Sequence, residues 1–243
     1  MEEENLVERI RERYERALEQ IEAAARSAGR DPRDVRLVVV SKAQPLTVVR
    51  AAIAAGIRLL GENYPEEAVE KMQALAAETE VEWHMIGHVQ SRKARLVAEH
   101  FALLHSLDRL KLARRLDRFA AEAGRTLPVL LEFNVSGEAT KYGWPAWDEN
   151  AWEALVPEIA QVLQFEHLRV RGLMAMPPLP REAEESRPYF RRLRRLRDFL
   201  SRRFPEIAWE ELSMGTSADF VIAVQEGATL VRVGQAILGP RKQ

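Results

Sequence analysis

Eight short apolar runs, each followed by an amphipathic stretch, constrain this chain more than any other feature of it. The runs fall at 35–41, 57–61, 82–87, 102–106, 128–135, 168–176, 209–213 and 229–233, and their shortness and alternation with amphipathic segments predict strands. Between them the spacing predicts helices at about 46–55, 65–78, 90–99, 109–123, 148–163, 182–203 and 217–226. A further helix over 4–28 opens the chain. Its Val7, Ile10, Tyr14, Leu18, Ile21 and Ala25 recur at helical spacing, and Gly29 closes it. Strands that alternate with helices call for a parallel sheet. Eight such units in 243 residues fit an α/β fold closed as a single (β/α)8 TIM-type barrel better than an open sheet. No low-complexity linker interrupts the chain, so one domain over 1–243 is expected. If the barrel closes after the eighth strand, the additional N-terminal helix can stand where the last outer helix is missing.

Composition removes several function classes. A net charge of −1 creates no field that would recruit nucleic acid or a membrane surface, and neither is expected as a partner. Residues 186–204 hold eight arginines, yet Phe190, Leu193, Leu196 and Leu200 form a helical stripe among them, so the arginines read as a solvated face. Cysteine is absent, which excludes disulfides and thiol chemistry and suits a reducing, cytoplasmic setting. No apolar run reaches membrane-spanning length, and the acidic start MEEENLVERI is neither a signal nor a transit peptide.

Polar residues gather where each strand would end: Ser41 and Lys42, Glu62 and Asn63, His84 and His88, His105 and Asp108, Asn134 and Ser136, Met174 and Met176, Ser213 to Ser217, and Arg232 and Gly234. In a barrel these ends share the face that carries chemistry. Lys42 stands out among them. The chain holds 30 arginines and six lysines (42, 71, 93, 111, 141 and 242), and Lys42 ends the most apolar run, VRLVVVSKAQP. Arginine stays protonated, whereas a desolvated lysine can lose its proton and attack a carbonyl. The plain alternative is a lysine whose stem lies on apolar surface while its amine reaches water.

Two turns suggest an anion opposite that amine. SMGTSADF at 213–220 has Gly215 for close backbone approach and Ser217 as an N-cap, and VRVGQAILG has Gly234 before a short apolar turn at 235–238. Barrels commonly bind phosphate with the loops after strands seven and eight. An amine facing a phosphate suggests a Schiff base with a phosphorylated aldehyde. Pyridoxal 5′-phosphate and the substrate of a sugar-phosphate aldolase both qualify. His84 and His88 point apart on a strand-and-turn segment, so no metal site is expected there, and they read as pocket-wall or core histidines.

VVSKAQP around Lys42, GENYPEEAVEK at 61–71, WHMIGHVQSRK at 83–93, NVSGEATKYG at 134–143, RGLMAMPP at 171–178, SMGTSADF at 213–220 and VRVGQAILGPR at 231–241 together resemble the pyridoxal phosphate homeostasis proteins. That family is built on the alanine racemase N-terminal barrel, fold type III of the pyridoxal phosphate proteins. The resemblance implies that Lys42 is the aldimine lysine. It implies that Ser213, Gly215, Thr216 and Ser217, with Gly234 and Gln235, hold the phosphate. Arg232 would lie near the phosphate or the pyridine nitrogen, and Asn63 and Met174 would line the pocket. Thr216, Arg92 and Leu238 depart from the family's usual residues, and the Thr216 hydroxyl is expected to add a phosphate donor.

The function so implied is intracellular carriage of pyridoxal phosphate by a monomer, with apo-enzymes that need the cofactor as partners and no catalytic residues. The alternative is a minimal amino-acid racemase. Racemisation needs a second acid/base on the far face of the substrate. In the resembled racemases an added β domain supplies it, and this chain ends about ten residues after the last strand, with none of Tyr14, Tyr64, Tyr142 and Tyr189 an evident substitute.

Overall fold

A computed structural model describes residues 2–77 and 81–240. Lys242 and the predicted end of the 65–78 helix lie outside the described residues. Eight parallel strands form the centre: β1 (Arg36–Val40), β2 (Leu59–Glu62), β3 (Glu82–Met85), β4 (Leu103–Leu107), β5 (Leu127–Asn134), β6 (Leu168–Met174), β7 (Glu211–Thr216) and β8 (Leu230–Val233). Each pairs with the next. β8 returns to β1 with Val38 opposite Arg232, so the sheet closes into the expected barrel. A two-residue strand, Trp144–Pro145, adds to the edge of β5 beside Phe133 and Asn134.

The outer ring comprises α2 (Leu46–Ala54), α3 (Pro65–Ala74), α4 (Ala94–His100), α5 (Leu110–Glu122), α6 (Val156–Leu163), α7 (Arg187–Arg203), α8 (Phe220–Gln225) and the four-residue α9 (Gln235–Leu238). The opening helix α1 (Glu2–Ser27) packs against α2, α8 and α9, filling the gap that so short a last helix leaves. Its buried stripe runs through Ile10, Ala17, Ile21, Ala24 and Ala25, and Leu18 is turned outward. Several predicted helices begin later than their apolar spacing suggests. Segments 91–93, 149–155 and 183–186 are 3₁₀ turns, and the α-helical part starts after them. In α6 and α7 a proline sits in the first turn, where its missing N–H costs nothing.

Side-chain alternation along the strands stacks the interior in layers. Val38, Leu103, Leu130, Met174 and Leu230 form an apolar plug inside the barrel. Two residues further along β4, β5 and β8, the same inward rows carry His105, Glu132 and Arg232, all buried. The plug therefore has a polar layer above it, towards the C-terminal ends of the strands. β7 runs to Thr216, three residues past its predicted end, and its register with β8 shifts between Ser213 and Thr216. Gly215 sits in that bulge at φ +91°, which a side chain would strain. The extension draws Ser213 inside the barrel.

Candidate functional site

The C-terminal mouth of the barrel contains a cleft of about 160 Å³. Seven of the expected residues line it: Lys42, Asn63, Thr216, Ser217, Arg232, Gly234 and Gln235, joined by Val40, Ile86 and Met176. The other three expected residues are not part of that lining. Met174 belongs to the apolar plug one layer down, and Met176, two residues on, takes the wall. Ser213 is fully buried under Arg232. Gly215 faces α8, where a Cβ would come within 2.5 Å of Ala223 Cβ and 2.9 Å of Phe220 Cα.

The loop that bears Lys42 is clamped on both sides. Lys71 Nζ donates to the Ser41 carbonyl (2.8 Å), to Glu62 Oε1 (2.7 Å) and to Glu67 Oε1 (2.6 Å). Glu67 Oε1 also accepts from the Ala43 N–H (2.8 Å), and Glu62 Oε1 accepts from Ser41 Oγ (2.7 Å). Ala43 holds φ +55°, an uncommon conformation for a residue with a Cβ, so the turn at Lys42 depends on these contacts. Burial raises the Glu62 carboxyl above its ordinary range, against the pull of Lys71. The motif GENYPEEAVEK thus supplies the clamp rather than a second reactive amine.

On the facing side the expected donors are partly committed. The Thr216 N–H and hydroxyl both donate to Asp219 Oδ1 (2.7 and 3.2 Å), and Asp219 Oδ2 accepts from Ser186 Oγ (2.7 Å). Asp219, not Ser217, occupies the N-cap position of α8. The extra hydroxyl expected from Thr216 is therefore spent on Asp219. Ser217 Oγ accepts from the Gly234 N–H at 3.4 Å, tying the two turns together. Gly234 is small because of β1: a Cβ there would lie 3.2 Å from both Val40 Cβ and the Val40 carbonyl. What the two turns present to the cleft is the Ser217 hydroxyl and the Gln235 side chain; in α9 the Ile237 and Leu238 N–H groups are already bonded to the Gly234 carbonyl (2.9 and 3.0 Å).

Arg232 reaches the cleft from below. It donates to Ser213 Oγ, to the Ala175 carbonyl (3.1 Å) and to Met176 Sδ (2.9 Å). Burial brings its pKa down to about 10, so it remains a cation at neutral pH. Under it, His105 and His84 are fully buried, and they hydrogen-bond to each other at 2.9 Å. Glu132 is buried nearby and its carboxyl is pushed up to about 7, by burial first and then by Asp108, with Arg232 opposing. Sequence reasoning missed Glu132, because only the inward row of β5 reveals it. His88 takes a different path from His84. It stacks on Tyr142 with ring centroids 3.8 Å apart and lies 3.1 Å from Asp108.

Asn63 Oδ1 is buried at the cleft with no hydrogen-bond partner among the described residues. It is an acceptor, or with its amide turned a donor, prepared for a ligand. Gly87 makes room for it, since a Cβ there would meet the Asn63 carbonyl at 2.5 Å. A primary amine, a fixed cation, hydroxyl and N–H donors and an orphaned amide together fit a flat phosphorylated aldehyde such as pyridoxal phosphate. A larger cavity, about 510 Å³, lies at the opposite end among Arg30, Arg33, Arg36, Arg194 and Arg197. Each of these already has an acceptor: the Val224 carbonyl, Asp31, Glu211, Glu226 and Asp198 respectively. Along α7, Arg187 and Arg191 pair with the buried Glu226, and Arg195 pairs with the more exposed Glu149.

The chain is similar to known proteins over nearly its whole length. Residues 14–242 match the alanine racemase N-terminal domain. The chain is 44% identical to the pyridoxal phosphate homeostasis protein of Pseudomonas aeruginosa over 96% of each chain. It is 40% identical to that of Aquifex aeolicus over 95% of this chain and 98% of the other. Among solved structures, PipY of Synechococcus elongatus with pyridoxal phosphate bound superposes with a TM-score of 0.81 at 38% identity, covering 95% of this chain and 100% of that one. Alanine racemase from Streptomyces coelicolor shares the fold (TM-score 0.68, 20% identity), with 95% of this chain matched to 58% of the racemase.

Proposed function

The chain belongs to the alanine racemase N-terminal domain family and within it to the pyridoxal phosphate homeostasis proteins, and from that membership we propose that it binds pyridoxal phosphate at Lys42 and keeps it available to other proteins rather than using it in turnover. The observation that carries the reading is the cleft itself: Lys42 on one wall, Ser217, Gln235 and the start of α9 on another, and a buried Arg232 at its base. When bound, the cofactor supplies an aldehyde that accepts a primary amine and a ring that withdraws electrons. Lys42 presents the amine from a clamped turn. The Ser217 hydroxyl and the Gln235 side chain would hold the phosphate. Arg232 keeps a positive charge at the base of the cleft, and a ring nitrogen beside it would stay unprotonated, which weakens the ring as an electron sink.

The composition of the cleft supports carriage over catalysis. Racemisation needs an acid/base on the face opposite the lysine. The lining residues include no tyrosine, histidine, aspartate or glutamate. A slow racemase is the second reading, and it rests on Tyr142, His88 and Asp108 clustered at the mouth outside that lining. We take the working unit to be a monomer in the cytoplasm that hands cofactor to apo-enzymes. Among the described residues no helix is long and apolar enough to cross a membrane.

The test is direct. Purified protein supplied with pyridoxal phosphate should turn yellow, and borohydride should fix the cofactor to Lys42 in a peptide map. Lys71 is held in its clamp and Lys93 is paired with Glu66, so neither is expected to compete. An adduct on Lys93 or Lys141 would overturn the site. A colourless protein that takes up no cofactor would overturn the function.

A further inference from the structure

The buried polar groups inside the barrel form a continuous line that nothing in the proposed function uses. Glu82 begins β3 at the closed, N-terminal end, where its side chain is 47% exposed and Arg36 lies 3.9 Å away. Glu82 Oε1 is 2.7 Å from His84 Nε2. His84 Nδ1 is 2.9 Å from His105 Nε2, and His105 Nδ1 is 2.8 Å from Ser213 Oγ. Ser213 Oγ then meets Arg232 Nη1 at the cleft. Four contacts therefore join a surface carboxylate to a guanidinium at the other end of the barrel.

With neutral rings the carboxylate end dictates where every hydrogen lies, and the arginine end is compatible with it. Arginine only donates, so Ser213 Oγ accepts from Arg232 and has its own hydrogen left to give. His105 Nδ1 takes that hydrogen bond, which puts the hydrogen of His105 on Nε2, pointing at His84 Nδ1. His84 in turn carries its hydrogen on Nε2 and donates to Glu82. Read from the other end the answer is the same, because a carboxylate only accepts and its neighbour must donate. Neutral rings satisfy the whole line. Burial lowers the pKa of both histidines, with Glu82 opposing at His84, and with His84 and then Arg232 adding to the effect at His105.

We propose that Glu82, His84, His105 and Ser213 form a one-way hydrogen-bond relay through the barrel, with both rings protonated on Nε2 alone, that positions Arg232 in the cleft. His84 and His105 are positioning residues. With Nη1 fixed by the relay and Nη2 by Ala175 and Met176, the guanidinium has one orientation, so the cleft has a charge that does not swing. Bonds in such a line polarise one another, so a change at Glu82 is felt at Arg232. The importance of this for cofactor affinity rests on the function proposed above, whereas the relay itself does not.

The experiment uses the full chain, isotopically labelled and free of ligand, with long-range proton–nitrogen correlations of the histidine rings and the Arg232 side chain. Wild type should show His84 and His105 neutral and protonated on Nε2 at pH 7. Glu82→Gln retains a carbonyl acceptor and should leave both rings unchanged. Glu82→Met removes the last acceptor; it should mix the tautomers of both rings, shift the Arg232 resonance and weaken pyridoxal phosphate binding about threefold to tenfold, with Glu82→Gln restoring affinity. A wild-type ring protonated on Nδ1, or doubly protonated, would overturn the relay. So would a Glu82→Met protein in which His84 changes while His105 and Arg232 do not. Shifted rings with unchanged affinity would remove the positioning role. A protein that binds no pyridoxal phosphate would still report its tautomers, so failure of the function and failure of the relay are separate results.

Discussion

Lys71 Nζ lies 2.8 Å from the carbonyl oxygen of Ser41, the residue immediately before Lys42. The second lysine of the chain therefore holds the backbone from which the first one projects. Lys71→Met should leave Glu62 buried without its counter-charge, and losing one member of a buried pair costs about 3–5 kcal/mol. Urea denaturation should show the midpoint falling. Adding Glu62→Gln to the same chain should recover part of the loss, and no recovery would mean that the clamp is not electrostatic.

Glu132 gives the fold a pH dependence of definite sign. Its carboxyl is pushed up to about 7 in the folded chain, against an ordinary value of 4.5. Between those values the folded chain keeps a proton that the unfolded chain has released, so stability falls as pH rises through this window and stays lower above it. Glu132→Gln removes the effect. It should be more stable than wild type at pH 8 by roughly 1–3 kcal/mol and about equal to it at pH 4, as read by chemical denaturation. A variant that is destabilised equally at both values would show that the carboxylate is needed in its charged form.

Ser217 offers a cleaner test of the phosphate side than either glycine, because Gly215 and Gly234 are small for packing against α8 and β1. Ser217→Ala removes one hydroxyl from the cleft. A hydrogen bond to a charged group contributes ~1.5–3 kcal/mol, so affinity for pyridoxal phosphate should drop roughly 10- to 100-fold. Binding of unphosphorylated pyridoxal should hardly change. Equal losses for the two ligands, measured by titration of the visible band, would place the phosphate elsewhere.

Turnover can be tested with amino acids in deuterated water, following exchange at Cα and inversion together. Slow exchange with little inversion is expected, since one missing acid/base group removes roughly 10²–10⁴-fold in rate. Rapid inversion that disappears in Lys42→Ala and in Tyr142→Phe would make the chain a racemase with its second base at the mouth.

Much of this was legible before any coordinates. The alternation of short apolar runs with amphipathic segments pointed to eight strands, most plainly at 35–41, where burial on both faces leaves a continuous apolar run. Lys42, Asn63, Ser217 and Arg232 stand at strand ends, which a barrel gathers at one mouth, whereas Gln235 could be named only through the family resemblance. What stayed hidden depends on registry between distant segments. Met174 and Met176 share a face of the chain, and only the height of β6 in the barrel tells which one reaches the cleft. Thr216 looks like a free hydroxyl until Asp219, three residues on, is seen to take it. The line from Glu82 to Arg232 crosses four strands, and no local spacing encodes it.

Closure of the barrel also has a kinetic side. Lys42 follows the first strand and Arg232 lies in the last, and Val38 and Arg232 face each other only once β1 and β8 have paired. That pairing joins segments separated by nearly the whole chain, the kind of contact that forms late and slowly. A nascent or half-folded chain would possess the reactive amine but not the cation meant to accompany it. The ability to retain a small reactive aldehyde requires that closing pairing, and ligand capture can serve as a clock for it.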